Sequence, residues 1–66
     1  MQYIIIAHDD KSAISTTTDD MDRACELADA MLGTLRQMGD SREVVLMQAD
    51  AYGHRQTLLI NGSLAA

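Results

Sequence analysis

Apolar residues along this chain change their spacing twice, and each change marks an element. Gln2-Tyr3-Ile4-Ile5-Ile6-Ala7 is a nearly unbroken, β-branched apolar run, which predicts a central strand covered on both faces. His8-Asp9-Asp10-Lys11-Ser12 has the composition of a turn. Ala13-Ile14-Ser15-Thr16-Thr17 then combines β-branched threonines with a single large apolar residue. That suits an edge strand returning as a hairpin, with an extended loop as the alternative.

Between Thr18 and Gly39 the spacing becomes helical. At about 100° per residue, Met21, Ala24, Cys25, Ala28, Leu32 and Leu35 share one arc, which Leu27, Met31 and Met38 widen on one side. Thr18 or Asp19 is the expected cap, and Asp19, Asp20 and Asp22 put negative charge at the positive end of the helix dipole. Gly33 lies within the stripe and weakens it, but Leu35 and Met38 carry the period onward. The helix is therefore expected to reach about Met38, with Gly39 as its left-handed terminator before Asp40 and Ser41; an end near Leu32 is the alternative.

Strongly apolar strands return in Arg42-Glu43-Val44-Val45-Leu46-Met47-Gln48-Ala49 and again in Gln56-Thr57-Leu58-Leu59-Ile60. Asp50-Ala51-Tyr52-Gly53-His54-Arg55 joins them as a hairpin turn. Asn61-Gly62 ends the last strand, and residues 62–66 are expected to fray. The order strand, strand, helix, strand, strand predicts a single α+β domain over residues 1–66. Its antiparallel β-sheet (ββαββ) carries one amphipathic helix on one face.

One difficulty follows from the pattern. Ile4 to Ile6, Val44 to Met47 and Leu58 to Ile60 place large apolar side chains on both faces of the sheet, and one helix covers only one. Either the sheet curls strongly or its second face packs against another molecule, a twofold copy or a partner protein. The second is the expectation.

Composition narrows the chemistry. A 66-residue domain without Phe or Trp must build its core from Ile, Leu, Val and five Met, so its stability should be modest. Cys25 is the sole cysteine, which excludes an internal disulfide and suits a reducing, intracellular setting. The N-terminal apolar run lacks a basic region and is too short for a signal peptide or membrane span. A soluble, cytoplasmic protein is expected. Ten Asp and Glu against five Lys and Arg give a net charge of −5, which argues against direct binding of nucleic acid.

Candidate catalytic groups are sparse. Cys25 with His8 or His54 would make a thiolate and imidazole pair, but its place in the apolar arc suits a quiet buried thiol better. His8-Asp9-Asp10 and His54 with Asp50 carry metal-binding groups at no standard ligand spacing, although the two turns would meet if they fell at one end of the sheet. Phosphate loops, nucleophile elbows and paired cysteines are missing. The reading is therefore a non-enzymatic protein without cofactor or metal.

The acidic side of the helix is the remaining candidate. Asp22, Glu26 and Asp29 follow i, i+4, i+7 spacing and so step about 6 Å and then about 4.5 Å along one side. Those steps approach the separation of successive phosphates on one nucleic-acid strand. Asp19 and the turn acids Asp40 and Glu43 would extend the field, while Arg23 and Arg36 border it. The plain alternative is the solvated face that every amphipathic helix needs.

Small size, acidity, few aromatics and no catalytic motif together give a chain that resembles phage-encoded anti-CRISPR proteins. Many of these are small acidic α/β proteins that block a CRISPR effector by occupying its DNA-binding surface. The resemblance spans the whole chain and rests on no shared motif. It implies a DNA-mimicking or surface-blocking inhibitor in the host cytoplasm, with Asp19, Asp22, Glu26, Asp29, Asp40 and Glu43 presented to a basic nucleic-acid-binding protein. The alternative is a homodimeric interaction module that uses the apolar sheet face.

Overall fold

The computed structural model describes residues 1–65. Its elements are β1 (Gln2–His8), β2 (Ala13–Thr18), α1 (Met21–Gln37), β3 (Glu43–Ala49), β4 (Arg55–Ile60) and β5 (Ser63–Leu64). The five strands form one antiparallel sheet in the order β2-β1-β3-β4-β5. The apolar β1 is thus central and the threonine-rich β2 lies at the edge, as their compositions predict. The helix connects that edge back to β3 and packs across β1 and β3.

Register assigns the faces. Ile5 pairs with Leu46 and Ala7 with Val44, and all four are buried beneath the helix residues Ala24, Ala28 and Leu35. Small Ala24 and Ala28 let the helix approach the strands closely, and Leu27, Met31 and Leu32 close the flanks of this core. The alternate residues Ile4, Ile6, Val45 and Met47 point to the opposite face. Strand β4 departs from simple alternation. Leu46 pairs with Leu59 but Met47 with Thr57, so Leu58 is a bulge residue, and both leucines pack against the helix-side core. Only Ile60 of that apolar run is left for the far face.

The helix ends where the sequence predicts, at Met38 and Gly39, but its start differs in detail. The cap is Asp20, not Thr18 or Asp19. Its extended backbone sets Oδ1 to accept from the N–H groups of Asp22 (2.9 Å) and Arg23 (3.3 Å), while the Thr18 hydroxyl accepts from the Asp20 N–H. At the other end Gly39 has φ +75°. Its N–H donates to the Arg36 carbonyl and that of Asp40 to the Leu35 carbonyl, the paired bonds of a Schellman terminator.

The buried stripe is also narrower than the apolar arc. Cys25 is exposed because it lies about 80° around the helix from the line through Ala24, Ala28 and Leu35. Met21 and Met38, at the ends, are exposed as well. Gly33 sits on the outer surface rather than in the stripe, and a Cβ built there meets nothing within 4 Å. Gly33→Ala is accordingly expected to stabilise the protein by about 0.5–1 kcal/mol. A rise of several degrees in the thermal midpoint would check this; an unchanged or lower midpoint would refute it.

The chain past Ile60 does not fray among the described residues. Asn61 (φ +50°) and Gly62 (φ +80°) form a two-residue turn with both φ positive, and Ser63 and Leu64 return as β5 beside β4. An Asn-Gly pair favours this hairpin turn; the short strand after it is what the sequence reading missed. Ala66 lies outside the described residues. No helix among them is long and apolar enough to cross a membrane.

Candidate functional site

The six predicted contact acids separate into distinct places. Asp22, Glu26 and Asp29 stay together on the exposed side of α1, facing away from Ala24, Ala28 and Leu35. The Asp20 cap and the Gly39 terminator fix the helix that carries them, so their spacing is set by backbone geometry. Glu26 meets Arg23 at 3.6 Å in a pair exposed on both sides, which contributes little.

Arg36 does not serve as the row's second basic neighbour. Its Nη1 donates to the carbonyls of Asp40 (2.8 Å) and Arg42 (3.0 Å), and its Nη2 donates to Asn61 Oδ1 (3.3 Å). Its guanidinium is committed to tying the helix C-terminus to the start of β3 and the last hairpin turn. Among the described residues its hydrogen bonds go to these groups and not to the carboxylates of the row.

The other three acids are elsewhere. Asp19 precedes the helix and lines a shallow depression with Met1, Gln2, Ala49 and Asp50. Asp40 is used locally: Oδ1 accepts from the Arg42 N–H and Oδ2 meets Arg42 Nε at 3.1 Å. Glu43 pairs with His8 (3.4 Å) on the sheet face turned away from the helix. A single field of six carboxylates does not form; the helix row of three is what remains.

The histidine turns lie at opposite ends of the sheet. His8 pairs in register with Glu43 at the start of β3, whereas His54 follows the end of β3. His54 Nδ1 lies 3.1 Å from Asp50 Oδ2, and the other oxygen of Asp50 accepts from the N–H groups of Tyr52 and His54. In the first turn Asp9 accepts from the Lys11 and Ser12 N–H groups, which hold its carboxyl below the usual carboxylate range. Both sets are turn closures. No three His, Cys, Asp or Glu side chains converge on a metal-sized site among the described residues.

Two apolar features complete the surface. Between α1 and the edge strand β2 an open groove is lined by Ile14, Leu27, Ala30, Met31, Thr34 and Leu35. The face opposite the helix holds Ile4, Ile6, Val45, Met47 and Ile60. Ile4 and Val45 are crowded to 9% and 8% exposure by their neighbours, while Ile6 and Met47 are half-buried and Ile60 is 39% exposed. No second layer covers this face among the described residues.

Comparison of the chain with protein-family models, with curated proteins and with solved structures finds no match. The functional reading rests on the surface itself.

Proposed function

We propose that this protein is a non-catalytic inhibitor of the anti-CRISPR type, and that Asp22, Glu26 and Asp29 bind the basic, nucleic-acid-binding surface of its target. The observation that carries this reading is the placement of the three carboxylates on the outer side of a helix capped at both ends. Their steps along the helix, about 6 Å and about 4.5 Å, approach the spacing of backbone phosphates. With Arg36 turned to backbone carbonyls, Arg23 is the helix cation left beside them. Arginine or lysine side chains that ordinarily hold phosphates would accept such a row. Long-range attraction would speed encounter, and binding would weaken as salt rises.

The test is competition for DNA on a panel of purified CRISPR effector complexes. The unmodified protein is expected to displace DNA from a responsive effector, and the combined variant Asp22→Lys, Glu26→Lys and Asp29→Lys to lose at least about tenfold in that activity. Its circular dichroism should stay close to the parent, since all three side chains are exposed, and its melting should fall only slightly, because Asp22→Lys reverses a first-turn charge at a cost of about 1 kcal/mol. Undiminished competition by the folded variant would remove the row from the site. A panel in which DNA binding is never affected would refute the inhibitor reading.

A further inference from the structure

We propose that the sheet face opposite the helix is the interface of a twofold homodimer, in which two sheets pack face to face with strands antiparallel and Glu43 of each copy lies beside Arg55 of the other. Three observations lead there. The face is apolar at its centre, where Ile6, Met47 and Ile60 keep exposed surface and nothing among the described residues covers them. It is also the neutral part of an acidic molecule. Register places only Glu43 and Arg55, of the fifteen Asp, Glu, Lys and Arg, at strand positions on this face. Those two cancel, so the remaining nine acidic and four basic side chains supply the whole net charge of −5. A basic partner would be drawn to the other surfaces; a neutral apolar face suits a second copy, whose own charge lies outside the contact.

The third observation fixes the geometry. Glu43 opens β3, and Arg55 stands opposite Ala49, which closes it, so the two charges mark opposite ends of the face about 20 Å apart. A twofold axis running across the strands lays the Glu43 end of one sheet over the Arg55 end of the other and creates two identical opposite-charge pairs. An axis running along the strands would oppose Glu43 to Glu43 and Arg55 to Arg55. The charge pattern selects the first. Sheets packed in this way stand about 10 Å apart, which long Glu and Arg side chains can bridge at the rim.

Size is sufficient. The four long strands β2, β1, β3 and β4, each about 20 Å, present about 400 Å² of plane, and the relief of the side chains increases it. Two such faces bury on the order of 1,000 Å², the lower range of specific interfaces. The helices would then lie on the two outer sides of the sandwich, leaving both acidic rows exposed. The dimer is independent of the inhibitor reading, because its residues lie on the opposite face from the helix row.

Sedimentation equilibrium of the full chain over a wide concentration range tests the proposal. The parent is expected to be a dimer. Arg55→Glu and Glu43→Arg, each alone, should raise the dissociation constant about tenfold or more by bringing like charges together, and the two combined should restore it. Met47→Glu, which buries a charge at the centre of the interface, should give monomers. Circular dichroism shows whether each variant is folded, and the combined charge exchange keeps the test decisive if one single variant is not. A parent that stays monomeric at the highest concentration, or a dimer that neither the single changes nor Met47→Glu weakens, overturns the proposal. Failure of the exchange to restore association after single changes that weaken it overturns the antiparallel arrangement.

Discussion

Replacing Ile5 with alanine is expected to cost about 2–5 kcal/mol, which leaves much of the chain unfolded. Ile5 is fully buried and Leu46, its register partner on β3, is 1% exposed; they are the largest fully buried side chains. A domain of 66 residues has a total stability of only about 3–10 kcal/mol, so this one substitution removes a large share of it. The surroundings have little means of closing the gap. Above the pair stand Ala24 and Ala28, too short to fill it, and beside it on β1 the next core residue is Ala7. Tyr3, two residues back along β1, already packs its ring against this core, and the chain has no Phe or Trp to add to it. Urea denaturation checks the expectation through the lost midpoint, with Ile5→Val as a graded control expected to cost about 0.5–1.5 kcal/mol. A cost below about 1 kcal/mol for Ile5→Ala would place the stability of the fold outside this pair.

Ile5 was legible from the pattern because an unbroken apolar strand can only be central. The same logic separated the exposed β2 from β1, since Ser15, Thr16 and Thr17 supply β-branching without apolar payload. Other positions were not legible, for physical reasons. Cys25 falls on an arc drawn from the helix alone, but the buried line is set by what the sheet offers, and the sheet meets Ala24, Ala28 and Leu35. Leu58-Leu59-Ile60 reads as alternation, whereas the bulge turns both leucines toward the helix; a run of three apolar residues carries no sign of the irregularity. Among the site candidates, Asp22, Glu26 and Asp29 share a face because helical spacing determines it. Asp40 and Glu43, as turn acids, would extend that field, but Asp40 is held by Arg42, and a strand that begins at Glu43 sends its side chain to the opposite face from α1.

The turn after β4 carries the second large effect. Asn61→Ala is expected to destabilise the protein by about 2–4 kcal/mol. Asn61 continues the sheet ladder with a side chain standing in for backbone: its N–H donates to the Val44 carbonyl (2.8 Å), and its Oδ1 accepts from the Val44 N–H (2.9 Å). Val44 is 2% exposed, so without that amide oxygen its N–H loses its partner at a site shielded from water, at a cost of about 1–3 kcal/mol. Alanine also takes φ +50° poorly, which adds about 1 kcal/mol. The same oxygen receives Arg36 Nη2, so the substitution loosens the tie between the helix C-terminus and the last hairpin as well. Two further variants divide these causes. Asn61→Gly keeps the backbone conformation without the acceptor and should recover only the strain. Asn61→Asp retains both an acceptor and tolerance of positive φ, and its charge faces Arg36, so it should recover most of the loss. Chemical denaturation of the three variants, with hydrogen exchange at the Val44 amide, measures the division. If Asn61→Gly is as stable as the parent, the side-chain bond to Val44 contributes nothing and the turn conformation alone accounts for the residue.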